Sequence, residues 1–237
     1  QVRPSYQLFT QEQIEEIHRA SLEVLETIGM RVPHEEARHL LQLNGCRIKD
    51  GDVVLFPNWL VEECIRSAPS RITIFDREGK EAMRLEGRNN YFGTGTDLIR
   101  TIDLESGKAR TSCLQDVINA ARIADACADV DFIASFALPR EVPTNTMYLR
   151  CVKAMLENST KPIFFTAAGK EDLGYILEMA SVVAGGEEAL REKPFLIHYS
   201  EPTAPLAHSY GAITKLFLCA ERSVPICYTA GDILGGS

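Results

Sequence analysis

The sequence predicts an α/β protein: the first four βα units of a (β/α)8 TIM barrel, preceded by an N-terminal α+β region with a β-hairpin or meander. Three observations carry the prediction. Four short apolar runs, Phe132–Leu138, Ile163–Ala168, Phe195–Tyr199 and Ile226–Ala230, begin at Asp131, Pro162, Pro194 and Pro225, with spacings of 31, 32 and 31 residues. Amphipathic segments at Thr146–Asn158, Glu171–Ala184 and Ser209–Glu221 separate them. Continuous apolar strands alternating with helices indicate a parallel sheet buried on both faces. A period near 31 is what eight units sharing roughly 250 residues give. Third, the doubly wound alternative normally carries a glycine fingerprint after its first strand, and neither GxGxxG nor GxxxxGK[ST] is present.

The elements follow in order. Thr10 and Gln13 form a capping box ahead of Ile14, Ile17, Val24, Leu25 and Ile28 at helical spacing, and Gly29 is placed to stop that helix. A second helix starts at Pro33 and ends near Asn44-Gly45. Gly51–Pro57 reads as a short strand, Pro57–Ser67 as a helix carrying Trp59, and Arg71–Asp76 as a strand. Tyr91–Gly95, Asp97–Asp103 and Gly107–Thr111 read as the hairpin or three-stranded meander, with turns at Gly93-Thr94-Gly95 and Glu105-Ser106-Gly107. Ser112 and Gln115 open a helix along Leu114, Val117, Ile118, Ala121 and Ala124.

The boundaries are therefore a cap region at 1–130 and a half barrel at 131–237. Four parallel strands with no closing partner leave an apolar edge prone to aggregation. The expectation is that the other half lies downstream or comes from another chain. Gln1 is not an initiator residue, so upstream processing is expected as well.

Composition narrows the function classes. Of 237 residues, 45% are hydrophobic and 24% charged, as in a folded domain rather than a disordered one. The formal net charge of −8 argues against a phosphate-binding surface as the main role, so no nucleic-acid partner is expected. No uncharged apolar run approaches the roughly 20 residues of a membrane helix. The seven cysteines include no CxxC pair and sit mostly in apolar patterns, which reads as reduced, buried thiols in a reducing compartment.

Little acid–base chemistry is on offer. His34 and His39 in His34-Glu35-Glu36-Ala37-Arg38-His39 imitate HExxH, but i and i+5 lie on different helix faces, so no metal site is expected and a solvated helix is. His198 reads as a hydrogen-bonded barrel residue. No nucleophile elbow occurs. The catalytic ends of barrel strands are their C-terminal ends, which selects Phe136, Arg140, Tyr199, Glu201, Tyr228 and Asp232 as candidate substrate-binding residues; no catalytic group is identified. Rings beside a carboxylate suit a quaternary ammonium, which donates no hydrogen bond and is held by ring faces at about 0.5–2 kcal/mol each. Phe136 and Tyr228 fit equally well as barrel filling, and Glu201 fits a helix-capping role.

The chain resembles the trimethylamine methyltransferase-like superfamily of corrinoid-dependent methyltransferases. The carriers are Leu22–Pro33, Tyr91-Phe92-Gly93-Thr94-Gly95, Ser200–Leu206 and the glycine-rich Thr229–Ser237. The resemblance implies a cytoplasmic, homo-oligomeric barrel about twice this length, serving methanogenesis-type one-carbon metabolism. It implies methyl transfer from a tertiary or quaternary amine to the Co(I) corrinoid, a cobalamin-type group, of a separate small protein, with no tightly bound cofactor of its own. The site poor in acids and bases fits the glycine betaine type without pyrrolysine. Arg140 would then pair with a substrate carboxylate. Two rival readings stay open: another barrel enzyme of the aldolase or lyase class, and a non-catalytic quaternary-ammonium binding module.

Overall fold

The computed structural model describes residues 6–203 and 205–231, and they divide into two compact units. Residues up to Ala68, with the Thr203–Tyr210 loop, form the first. It opens with helix α1 (Gln11–Thr27). Its capping box is present: the Thr10 hydroxyl accepts from the Gln13 backbone and the Gln13 side chain accepts from the Thr10 N–H. Gly29 ends the helix at φ +81°, and a Cβ there would lie 2.3 Å from the Val54 carbonyl, so only glycine fits. Strand β1 (Met30–Arg31), helix α2 (Glu35–Leu43), strands β2 (Arg47–Lys49) and β3 (Val53–Leu55), and helix α3 (Asn58–Ser67) complete the run. The three strands form an antiparallel sheet in the order β1-β3-β2. β1 and β2 are absent from the sequence expectation because two or three residues cannot express a periodicity. His34 also departs from it. Rather than lying on a solvated face it is buried, and its Nδ1 accepts the Ala37 N–H as the N-cap of α2.

The second unit comprises Pro69–Pro202 and Gly211–Gly231. Strands β4 (Arg71–Phe75) and β5 (Glu81–Glu86) form one antiparallel hairpin, and β6 (Arg100–Ile102) and β7 (Ala109–Thr111) another. Helix α4 (Leu114–Ala126) and strand β8 (Ile133–Ala134) follow, then α5 (Met147–Asn158), β9 (Ile163–Phe165), α6 (Lys170–Ala184), α7 (Glu187–Glu192), β10 (Leu196–Ser200), α8 (Tyr210–Arg222) and β11 (Ile226–Tyr228). The four strands β8-β9-β10-β11 pair in sequential order, all parallel, with helices between them. Pro162 and Pro225 precede two of them and contribute only carbonyls, accepting from the Ile133 and His198 N–H groups at 2.9 Å each.

Both sheet faces are covered, which explains the unbroken apolar runs. Ile133, Ile163, Phe165 and Leu196 pack with Val152, Met155, Leu173 and Ile176 of the helices. Each such large side chain contributes about 1.5–3 kcal/mol on burial. On the opposite face Phe132, Phe164, Ile197 and Cys227 meet Ile74 and Met83 of the β4–β5 hairpin. The end of α4 is tied to the start of β9 by Lys161, whose ammonium donates to the Ala124, Cys127 and Val130 carbonyls at 2.6, 2.5 and 2.6 Å.

Of the two arrangements expected between Tyr91 and Thr111, the hairpin is present as β6–β7. The three-stranded meander does not form, because residues 92–98 pair elsewhere: Gly93 and Leu98 form parallel bridges with Phe132 and Ala137. Phe92 and Gly95 carbonyls accept from Asp131 and Phe136, and the Thr94 hydroxyl both accepts from the Ala134 N–H at 2.7 Å and faces the Ala134 carbonyl at 3.2 Å. The outer edge of β8 is thus covered by the chain itself, not bare. Two other expectations need correction, the cap of α4 and the burial of every thiol. Helix α4 is capped by Cys113, whose N–H donates to the Asp116 carboxylate at 2.8 Å, not by Ser112, which is buried with an unpartnered hydroxyl. Cys64 and Cys127 are exposed, whereas Cys46, Cys151 and Cys219 are buried thiols, as expected. Among the described residues no helix is long and apolar enough to cross a membrane.

Candidate functional site

Tyr199 stands near the C-terminal end of β10 and Glu201 just beyond it, with Phe164 in the middle of β9 and Phe132 just before β8 on the same face. Strand alternation decides which rings share a face. Phe164 and Tyr199 stand 5.2 Å apart between centroids at 40°, and Phe132 and Phe164 5.9 Å apart at 52°, both within the range of favourable tilted ring pairs. The Tyr199 phenol donates to the Glu201 carboxylate two residues on. That hydrogen bond, with burial and the negative charges of Glu201, Cys227 and Asp97 behind it, pushes the phenol up to about 12. Tyr199 and Glu201 therefore form one unit: a ring with its hydroxyl committed to an exposed carboxylate.

The other sequence candidates are placed elsewhere. Tyr228 pairs in register with Ser200, and Cys227 with Tyr199. Alternation then puts Tyr228 on the helix-covered face with His198 and Ser200, where burial raises its phenol, not beside Tyr199. Phe136 has φ +58° and lines an apolar cleft of about 300 Å³ with Thr94, Ile123, Cys127 and Val130, on the side of α4. Arg140 is exposed, and its backbone N–H donates to the Ser112 carbonyl. Asp232 lies outside the described residues.

Asp97 was not among the sequence candidates. It sits at φ +61°, half-buried, next to the strand ends. Its Oδ1 accepts from the Ser135 hydroxyl at 3.3 Å and its Oδ2 from the Thr166 hydroxyl at 3.2 Å, one donor just beyond β8 and one just beyond β9. The Thr96 hydroxyl, 2.8 Å from the Ser135 hydroxyl, completes the group. The available signal was the Gly93-Thr94-Gly95 punctuation, but reading it as a hairpin turn hid the strand-end position of the residue two places on.

Behind the sheet, His198 is fully buried, its Nδ1 3.3 Å from the Phe165 carbonyl and its Nε2 unpartnered. Burial first, then the Lys215 charge, pulls its pKa down to about 4, so it is neutral at ordinary pH. Lys215, itself lowered by burial, donates to the Ala167 carbonyl at 3.0 Å, and the Asp172 carboxylate accepts the Ala168 N–H at 2.9 Å. These groups fix the β9–α6 turn rather than face the rings. Among the described residues no three His, Cys, Asp or Glu side chains converge on a metal-sized point.

Comparison with known proteins gives a consistent result. The family model for trimethylamine methyltransferase (MTTB) matches residues 1–237. A trimethylamine methyltransferase of Desulfitobacterium hafniense (strain DSM 10664 / DCB-2) is 29% identical over 219 residues, covering 92% of this chain and 44% of the relative. A glycine betaine methyltransferase of Desulfitobacterium hafniense (strain Y51) is 28% identical over 240 residues, 100% of this chain and 49% of the relative. A trimethylamine methyltransferase of Methanosarcina barkeri is 27% identical over 239 residues, 97% and 48%. The chain spans about half the length of these curated relatives.

Proposed function

The chain belongs to the trimethylamine methyltransferase family, and we propose that it forms the amine-holding part of a methyltransferase. The donor is a tertiary or quaternary methylamine, of the glycine betaine or trimethylamine kind. The acceptor is the Co(I) corrinoid of a partner protein. The observation that carries the reading is the Tyr199–Glu201 unit at the C-terminal end of β10, beside the Phe164 ring. The sequential parallel order β8-β9-β10-β11 supports a (β/α)8 barrel, in which those ends form the catalytic mouth.

The chemistry asks little of acids and bases. The methyl–nitrogen bond breaks with its electron pair left on nitrogen, and a quaternary ammonium departs as a neutral tertiary amine that needs no proton. Co(I) supplies the electron pair for the new bond to carbon. What the protein must do is position the methyl for in-line attack. Ring faces hold a cation that cannot donate hydrogen bonds, and a carboxylate balances its charge. By occupying the Tyr199 hydroxyl, Glu201 fixes the ring and keeps its own charge at the site. A homo-oligomeric, cytoplasmic enzyme is part of the same proposal.

The test uses the complete enzyme with reduced cobalamin and a panel of tertiary and quaternary amines. Co(I) absorbance is expected to fall with at least one amine as methylcobalamin forms. Consumption with none of them sinks the reading. Glu201→Gln is expected to lower kcat/KM, and an unchanged rate removes Glu201 from the site.

A further inference from the structure

Residues 92–98 run beside the outer edge of β8, bridged in parallel at Gly93 and Leu98, and Asp97 is bonded to Ser135 and Thr166 just beyond β8 and β9. A barrel places substrate-touching groups at strand ends, and this end bears a carboxylate. Its geometry is held from several directions. Ser135 and Thr166 donate to its two oxygens, and the Asp97 N–H reaches back to the Ser135 hydroxyl at 3.4 Å. Asp97 also holds a positive φ, a conformation that a short carboxylate side chain tolerates.

The charge on that carboxylate is not balanced internally. Among the described residues no Lys, Arg or His is bonded to Asp97. Lys215 is engaged with the Ala167 carbonyl and Arg110 with Asp103 and Asp116. The donors Asp97 does have are neutral hydroxyls at 3.2 and 3.3 Å, long for O–H···O⁻ bonds. A half-buried carboxylate so weakly compensated favours an incoming cation. Thr166, which donates to Asp97, stands two residues beyond Phe164 of β9, so strand alternation sets it on the side of that ring.

We propose that Asp97, delivered to the strand ends by residues 92–98 and oriented by Ser135 and Thr166, is a second anion, beside Glu201, that meets the positively charged nitrogen of the substrate. This rests on the methylammonium reading above and deepens it. Tyr199 and Phe164 supply the ring faces, and Asp97 supplies charge on the neighbouring strands.

The test compares two ligands of one shape on the complete enzyme by calorimetric titration: tetramethylammonium and the uncharged 3,3-dimethyl-1-butanol. Asp97→Asn is expected to weaken tetramethylammonium binding by on the order of tenfold to a hundredfold, as for loss of one partner of a desolvated charge pair, and to leave the alcohol unchanged. Equal loss for both ligands, or loss for neither, overturns the proposal. Thr166→Val, which keeps the charge and removes one orienting hydroxyl, is expected to weaken only the cation, by a smaller factor. If Asp97→Asn does not fold, this variant decides: no change for either ligand overturns the proposal. The two readings fail separately. Wild-type binding of tetramethylammonium that depends on Asp97, without methyl transfer to Co(I) from any amine, sinks the methyltransferase reading and leaves Asp97 in place. Transfer that is indifferent to Asp97→Asn sinks this inference alone.

Discussion

Gly93→Ala tests whether residues 92–98 are seated on β8. An added Cβ would lie 2.3, 2.4 and 2.5 Å from three atoms of the Phe132 ring, where 3.4–4 Å is ordinary contact. The ring must therefore retreat by about an ångström, and it is packed against Phe164. Overpacking of this kind costs typically about 1–3 kcal/mol. Gly95, two residues on, has nothing within 4 Å of an added Cβ and no positive φ. Gly95→Ala is therefore expected to be neutral or to stabilise by up to about 1 kcal/mol through the unfolded chain. Urea unfolding of the complete chain measures both. Phe132→Leu in the Gly93→Ala background is expected to recover at least about half of the loss, a coupling that a double-mutant cycle isolates. Equal effects of the two glycine substitutions, or no coupling to Phe132, would refute the seating.

Three further outcomes are expected. Lys161→Met removes an ammonium that meets three carbonyls at the end of α4, and should cost about 2–3 kcal/mol from charged hydrogen bonds and the helix dipole. A shift in unfolding free energy under about 0.5 kcal/mol contradicts it, and Lys161→Arg should not restore stability because a planar fork cannot meet three converging acceptors. His198 is held near 4 against about 6.5 when unfolded. Below pH 6.5 the unfolded chain therefore takes up a proton that the folded one refuses. The stability is complete above about 6.5 and is lost as pH falls toward 4, by up to about 3 kcal/mol. His198→Gln should flatten that part of the unfolding free energy against pH, and an unchanged slope counts against the assignment. Finally, the Tyr199 phenol should ionise near 12 and move down in Glu201→Gln. Tyrosinate absorbance, read against Tyr199→Phe, decides this, and an identical titration in both proteins breaks the proposed unit.

The parallel sheet was legible because both its faces are buried: Ile133, Ile163 and Leu196 under helices, Phe164 and Ile197 under the β4–β5 hairpin. That double burial wrote four unbroken apolar runs into the chain. The same property made individual side chains illegible. In a strand with polar residues on one side, alternation would separate Tyr228 from Tyr199 by inspection, but an apolar run carries no such mark. Only the register, Cys227 with Tyr199 and Ser200 with Tyr228, assigns the faces. Phe136 leaves the strand pattern for a different reason. Its φ of +58° turns it out of strand alternation into the cleft beside α4, and no residue type announces a positive φ at phenylalanine.

The pairing of residues 92–98 with the sheet shows how an insertion conceals a repeat. Ile133 and its partner Ile163 are 30 residues apart, but Gly93 and its partner Phe132 are 39 apart. The β6–β7 hairpin, Arg100–Thr111, lies in that interval and breaks the regular spacing. Strand pairing depends on backbone groups and tolerates a surface insertion between strand and helix, because a longer connection costs only slightly more closure entropy. The periodic signal does not tolerate it. The consequence reaches the site, because the obscured segment is the one that brings Asp97 to the strand ends. If that segment belongs to the wall of the sheet, deleting the hairpin tip around Glu105-Ser106-Gly107 should leave tetramethylammonium binding intact, whereas Gly93→Ala, which unseats residues 92–98 from Phe132, should weaken it.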